Sequence, residues 1–344
     1  MACRQRARIV LQVLVMAWTL PASTANRGRG RGRDDGESGE SRLKPRPGTL
    51  CQLVSREVLT EADTTTTPPT PAVHQLRFAL PASARTPDCC GGESGMLHVR
   101  VKAPDAQGHM QVKPYSAHIF AANRSLFDLV VKVYPSGVSA RLGSLAVHDF
   151  AHIPEMRAID WRRDARRVGM VCFGVGITEC LGPAEALLKA GGEVRIVYAN
   201  RNAEQIVLVD ELRRLLREHA GSFRLRHCLS QPSQGAALDL VKAGKAGDEK
   251  LTRGRVDHKV LKQEFAGPWK DGLEAEHFLA IGTSEMERSV LGLLGRAGLI
   301  DFSQIRGHPE FLLIKGPYGS NSDWTALSPP EPTPKKQRAE RVEL

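Results

Sequence analysis

The residues with the clearest chemical potential lie between Val168 and Ala190. An apolar run, Val168 to Phe173 (VGMVCF), flows into Gly174-Val175-Gly176-Ile177-Thr178 and then into a helical stretch, Pro183 to Ala190. Strand, Gly-x-Gly turn and helix form a unit suited to phosphate. Glycines let the backbone come close, and a helix N-terminus offers unpaired amides with a favourable dipole. The third glycine of the usual dinucleotide fingerprint is absent, and a Gly-x-Gly turn closing a strand is also compatible with a plain tight turn. Other chemistries find little support. No Gly-x-Ser-x-Gly elbow or His-Glu-x-x-His pair is present, and the 11 histidines show no metal-ligand spacing, so no metal site is expected. His118 reads as an exposed histidine of an extended segment, with a proton relay as the alternative.

The elements that must position this unit fall into two textures. Leu76 to Leu80 (LRFAL), Leu97 to Val101 (LHVRV) and Leu126 to Tyr134 (LFDLVVKVY) carry alternating or β-branched apolar residues bounded by turn formers. No helix-period segment interrupts them before about residue 140, which favours an antiparallel barrel or sandwich. From Val168 onward strand alternates with helix. Val194 to Tyr198 is a strand, and a periodic helix is expected from Glu204 to His219. Phe223 to Leu229 and His277 to Ile281 are further strands, the last leading into a helix from Ser284 to Leu294. That alternation implies an open, mostly parallel sheet. The expected fold is therefore two-domain, an N-terminal antiparallel β-barrel or sandwich followed by a C-terminal α/β parallel-sheet domain. The expected spans are 48–165 for the barrel and 166–317 for the α/β domain.

The 344 residues suit two cores of ordinary size. Net charge is +10, but the first 33 residues hold seven arginines and no acid, so most of the excess is local. Nucleic-acid binding through Arg27 to Arg33 is the remote reading, because no stacking platform accompanies that tract. Arg4, Arg6 and Arg8 precede the apolar run Ile9 to Leu20, too short for a comfortable membrane span. Residues 1–33 therefore read as a targeting segment. Mitochondrial import is favoured, with a secretory or endoplasmic-reticulum route, or a retained N-terminal membrane anchor, as alternatives. Residues 34–47 read as a linker, Thr64 to Pro71 as a turn-rich insertion, and 318–344 as a disordered tail. Seven cysteines, adjacent Cys89 and Cys90 among them, lack Cys-x-x-Cys spacing and suggest reduced thiols.

Several short motifs, taken in order, give a further pointer. Leu76-Arg77-Phe78-Ala79-Leu80-Pro81, Lys113-Pro114-Tyr115-Ser116, Leu129 to Tyr134 (LVVKVY), Ser136-Gly137-Val138-Ser139 and Val168 to Thr178 follow one another. Ala199-Asn200-Arg201-Asn202, Gly254-Arg255-Val256-Asp257 and Gly282 to Met286 complete the series. In this order they resemble the NADH-cytochrome b5 reductase branch of the ferredoxin-reductase-like flavoproteins, from about Cys51 to Lys315. The resemblance implies a FAD-binding barrel and a NAD(P)-binding α/β domain. Its activity would be hydride transfer from NADH (or NADPH) to FAD, then single-electron delivery to a haem protein such as cytochrome b5.

By the same resemblance, Tyr115 would lie against the isoalloxazine and Ser116 would stand near flavin N5, the two residues nearest the chemistry. Lys113 and Pro114 belong to that motif, with Lys113 neutralising the pyrophosphate. Gly137, Val138 and Ser139 would form the pyrophosphate turn, and Val130, Lys132 and Tyr134 would line the flavin site. Gly174, Gly176 and Thr178 would receive the nicotinamide nucleotide, while Gly282 and Met286 would border the nicotinamide. Each has a plainer reading beside it: Tyr115 as a barrel-core aromatic, Lys132 as a solvated lysine, Ser139 as a turn serine, the glycines as structural, Met286 as core filler. Departures from the family pattern cluster in the second domain. Phe173 and Val175 stand for a glycine and a threonine, Glu179 for a proline, Ile281 for a cysteine, and Ser230 for an aspartate. In the first domain Lys113 stands for an arginine, replacing a forked grip by a point charge. These departures motivate a second expectation, a catalytically degenerate relative that serves as an interaction or assembly module.

Overall fold

A computed structural model describes residues 49–65, 69–82, 96–105, 107–120, 123–159, 166–232, 248–269, 275 and 277–300. The targeting segment, the linker, Cys89 and Cys90, and the tail expected from the sequence lie outside the described residues.

Six strands make a closed antiparallel barrel: β1 (Thr49–Thr60), β2 (Val73–Ala79), β3 (Met96–Pro104), β4 (Met110–Phe120), β5 (Asn123–Lys132) and β6 (Phe150–Ile159). Their order around the barrel is β1-β2-β5-β4-β3-β6. Closure removes every free edge, so each strand can be short and half apolar. Alternation decides what faces inward: Leu76 and Phe78 of β2, Leu97, Val99 and Val101 of β3, and Phe127, Leu129 and Val131 of β5 are all buried. The rings of Phe78 and Phe127, which face each other across the β2–β5 pair, stack at 5.5 Å. Helix α1 (Gly137–Ser144) follows β5 and sends Val138 and Leu142 into the same core.

The second sheet has five parallel strands in the order β10-β9-β8-β7-β11. They are β7 (Arg167–Phe173), β8 (Glu193–Asn200), β9 (Phe223–Leu229), β10 (Glu249–Arg253) and β11 (His277–Ile281). Helices α2 (Ile177–Lys189) and α3 (Val209–Glu218) share one apolar cluster with one face of the sheet. Helices α4 (His258–Phe265) and α5 (Ser284–Arg296) share another with the opposite face. Strands covered on both faces read as continuous apolar runs, which is why β11 is buried at all five positions. Successive strands step from β7 to β10 on one side, and β11 then takes the other side of β7. The crevice beyond the C-terminal ends of β7 and β11 is thus the topological switch point, the place where open α/β sheets bind ligands.

The two-domain expectation holds, with local corrections. Helix α2 starts at Ile177, so Pro183 stands inside it rather than at its first turn. The proline removes one amide donor, but burial of Ile177, Cys180, Leu181, Ala184, Leu187 and Leu188 outweighs that loss. Helix α3 begins five residues later than the periodicity suggests. Leu208 sits at φ 57°, a left-handed position that breaks the chain between Ile206 and Val209. Strands β1, β4, β6 and β10 and helices α1 and α4 escaped the sequence pattern.

Buried charges brace the second domain. The Arg195 guanidinium, fully buried, lies 2.9 Å from Glu193 and donates to the carbonyls of Glu264 (2.9 Å), Gly267 (3.3 Å) and Pro268 (2.7 Å). It also rests 4.0 Å above the Trp269 ring. One side chain thereby fixes the turn that follows α4. The two domains are joined by packing as well as by chain: Val73 and Val130 of the barrel belong to the apolar cluster of the α/β domain.

Candidate functional site

The turn after β7 is shaped by its two glycines for different reasons. Gly174 adopts φ 53°, where a side chain is strained, and a Cβ there would stand 3.2 Å from the Lys132 ammonium. Gly176 has ordinary dihedrals but packs against β11, where a Cβ would come within 3.0 Å of the Ile281 carbonyl oxygen. It lets the turn after β7 approach the end of β11 closely. Thr178 ties the turn to the helix by donating from Oγ1 to the Val175 carbonyl at 2.9 Å.

Across the crevice Gly282 ends β11. A Cβ on it would meet the Phe173 ring at 2.9 Å and Met286 at 3.2 Å, so ring and thioether both lie over the glycine backbone. The Gly282 amide donates to Glu287 Oε1 at 3.3 Å. Met286 is 40% exposed and borders the crevice rather than filling the core. Lys132, expected beside the flavin, reaches from the end of β5 to the Gly174 turn. Burial, reinforced by nearby Arg201, holds its ammonium below the usual lysine range.

The barrel contributes the other wall. Tyr115 is half-buried against the barrel core, and Pro114 is half-buried beside it on β4. Lys113 is exposed. The Ser136–Ser139 stretch is the start of α1 rather than an isolated turn. Gly137 has φ 80°, and Ser136 makes no side-chain capping bond to the helix amides. Ser139 Oγ accepts from the Tyr134 amide at 3.3 Å, and the Tyr134 ring is half exposed. Two expected site residues bury their side chains: Val138, of the expected pyrophosphate turn, in the barrel core, and Val130 in the apolar cluster of the α/β domain. Each can offer a ligand only its backbone. His118 is not exposed. Burial lowers its pKa, and Glu185 of α2 and Glu211 and Arg214 of α3 are the charges nearest it across the domain boundary, apart from Asp128 on its own barrel.

One contact joins the halves at their centre. The Ser116 hydroxyl donates to Glu179 Oε1 in the first turn of α2. His98 of β3 is the direct register partner of Ser116, and its Nε2 lies 3.8 Å from the same oxygen. Glu179 is 3% exposed, and its carboxyl is pushed up to about 7 by burial, opposed by the Ser116 hydrogen bond and reinforced by Glu287. Sequence reasoning singled out Ser116 and Glu179 separately, but not their contact, and it missed His98 and Glu287. The β3–β4 register, which places His98 opposite Ser116, was the signal that could have found the histidine.

Comparison with known proteins agrees with this geometry. Residues 170–291 match the family model described as an oxidoreductase NAD-binding domain. The chain is 32% identical over 171 residues to NADH-cytochrome b5 reductase 1 of Aspergillus oryzae, covering 46% of this chain and 57% of that one. It is 27% identical over 230 residues to the Bos taurus protein of the same name, covering 58% and 70%. The chain spans about half the length of the first curated relatives it matches. Among solved structures, the cytochrome b5 reductase domain of Ulva prolifera nitrate reductase aligns with a TM-score of 0.55 and 18% identity, covering 79% of this chain and 98% of that one. A ferredoxin NADP+ reductase from Neisseria gonorrhoeae, solved with FAD and NADP, aligns with a TM-score of 0.56 and 14% identity, covering 80% and 100%. Residues 170–291 thus match an oxidoreductase NAD-binding domain, the chain is similar in sequence to NADH-cytochrome b5 reductases, and its barrel and parallel sheet resemble in fold the two solved reductase structures.

Proposed function

We propose that this protein is a FAD-dependent oxidoreductase that takes hydride from NADH (or NADPH) and passes electrons singly to a haem-protein acceptor such as cytochrome b5. The observation that carries this reading is the meeting of Ser116, on the barrel, with the first turn of α2, at the switch point of the sheet. A flavin held by the barrel and a nucleotide held by the Gly174 turn would there come face to face.

The residues present suit both groups. Tyr115 offers an aromatic face, Ser116 a hydroxyl, and the α1 N-terminus at Gly137 a set of amides for phosphate. Lys113 adds an exposed charge beside them. On the other side, the Gly174 turn lies against the Lys132 ammonium, a charge suited to phosphate, and Gly282 with Met286 would border a nicotinamide ring. When bound, FAD supplies the conversion of a two-electron hydride into single electrons. The protein's part is to align the two rings and exclude water. The N-terminal 33 residues would direct the chain to mitochondria, or hold it at a membrane. Among the described residues no helix is long and apolar enough to cross one.

A second reading is favoured by one specific observation. The Phe173 ring packs onto Gly282 and Met286, on the surface a nicotinamide would use. If the ring stays there, the protein is a catalytically degenerate relative that acts as an interaction or assembly module. An absorbance spectrum of the purified protein before and after anaerobic NADH separates the two. The reductase reading expects a yellow protein whose flavin bands bleach. Bound FAD that stays oxidised under excess NADH and NADPH would refute catalysis and leave the second reading standing. A colourless protein that added FAD cannot reconstitute would end the reductase reading.

A further inference from the structure

Four large apolar side chains lie exposed on one outer face of the barrel. Cys51 and Leu53 of β1, Val101 and Ala103 of β3 and Ala151 and Ile153 of β6 point into the core, which turns the residues between them outward. Strand register then sets the outward residues in two rows. In the first, Met110 of β4 pairs with Pro104 of β3, and Phe150 of β6 pairs with Gln52 of β1. In the second, Val112 pairs with Lys102, Lys102 with His152, and His152 with Leu50. Leu50, Met110, Val112 and Phe150 are each 42–55% exposed. The patch crosses four adjacent strands, about 14 Å at the usual strand spacing. An apolar surface gathered in this way marks a contact site. The acid nearest to Pro104 in the chain, Asp105, is spent on its own turn. Its carboxylate accepts from the amides of Gln107 (2.9 Å) and His109 (2.8 Å) and from Gln111 Nε2 (2.9 Å). Lys102 supplies a positive charge inside the patch, half-buried between Val112 and His152.

We propose that this face of β4, β3, β6 and β1 is a membrane-contact surface that seats the barrel on an anionic bilayer. The place where the chain enters the barrel favours that occupant. Strand β1 begins at Thr49, beside Leu50 of the patch, and the residues before it include the apolar run Ile9 to Leu20 behind Arg4, Arg6 and Arg8. That run is too short to span a bilayer and is suited to its interface. A single weak anchor binds reversibly, and stable attachment takes a second contact in the same molecule. The patch supplies that contact where the N-terminal segment joins the fold. Lys102 reinforces it, its stem lying among apolar side chains while its ammonium reaches headgroup phosphates. Shape argues the same way. Wrapped over a narrow barrel, the patch is convex, and two copies of a convex face bury little of each other. A fluid bilayer moulds to it. Strands tilt as they wind around a barrel, so six residues along β4, at Ser116, the outward direction has turned from the patch toward α2. Bilayer contact therefore leaves the crevice open. This contact rests on the reading of residues 1–33 as a membrane-holding segment and is independent of the flavin chemistry.

The test uses the full chain and vesicles of phosphatidylcholine mixed with phosphatidylserine, some carrying brominated acyl chains. Phe150→Trp places an indole on the patch. Val58→Trp, the control, places one at an exposed position about 26 Å further along β1 than Leu50. Brominated vesicles should quench Phe150→Trp beyond the parent's own tryptophan emission, and should leave the added emission of Val58→Trp untouched. Phe150→Glu combined with Met110→Glu should weaken vesicle binding on the order of tenfold, with an unchanged melting temperature because both side chains are exposed. A chain that binds vesicles but leaves Phe150→Trp unquenched overturns the contact surface and spares the membrane reading of residues 1–33. A chain that binds no vesicles overturns both. Dimerisation in sedimentation velocity that Phe150→Glu abolishes, without vesicle binding, assigns the face to a second copy and overturns the proposal. The reductase reading stands or falls separately, on the flavin spectrum.

Discussion

At the residue scale, Glu179 also sets a pH dependence of folding. Its carboxyl titrates near 7 in the folded protein against 4.5 for the ordinary side chain. A pKa raised on folding means the native state holds the proton more tightly. The associated stability is therefore complete below pH 4.5 and is lost as pH rises toward 7. The shift corresponds to about 3 kcal/mol at most. Thermal melts of wild type and Glu179→Gln across pH 4 to 8, a span bracketing the shift, are expected to show wild type losing ground to the variant as pH rises. A stability difference that does not vary with pH would place the carboxyl in water. The residue types at the site were legible from the sequence, because Tyr115, Ser116, Gly174 and Gly176 sit in recognisable strings. Directions of side chains were not. Lys132 turning to the Gly174 turn, and Val138 turning into the barrel, depend on which face of an element packs.

At the element scale, local signals and tertiary packing divided the work. Helices α4 and α5 begin with side-chain caps: Asp257 accepts from the Val260 amide at 2.8 Å, and Thr283 accepts from the Met286 amide at 3.3 Å. Replacing Asp257 by Ala should cost about 1 kcal/mol and lower the melting temperature by about 2–4 °C, with Asn restoring most of it. An unchanged melting temperature would mean that α4 is held by Leu261 and Phe265 alone. Strands β7 and β11 were readable because burial on both faces leaves them mostly apolar, and β9 because its apolar residues Phe223, Leu225 and Leu229 recur at alternate positions. Strand β1 was not. Its middle, Ser55-Arg56-Glu57, is exposed, so its place in the barrel follows from pairing with β2 and β6 rather than from its own pattern.

At the scale of the whole molecule, two observations make the domains one unit. Val73 and Val130 extend the α/β core into the barrel, and Arg201 of the α/β domain donates to Thr70 Oγ1 of the barrel side at 3.0 Å. Unfolding is expected to be a single transition, with loss of the Trp269 signal, buried in the α/β domain, coinciding with flavin release from the barrel. Two separate transitions by calorimetry would show that the shared packing is too weak to couple them. Arg195→Leu should lower that one transition, since it strands Glu193 in the core and frees the carbonyls that hold the turn after α4.

The chain's sequence by itself determined that there are two domains, their order and their classes. Apolar periodicity, turn residues and the order of short motifs are properties of the one-dimensional string. The tertiary structure alone decided which groups from the two halves meet. That Glu179 of α2 faces Ser116 and His98 of the barrel depends on strand register and domain docking. Both are fixed by contacts between residues far apart in the chain, which no local pattern encodes.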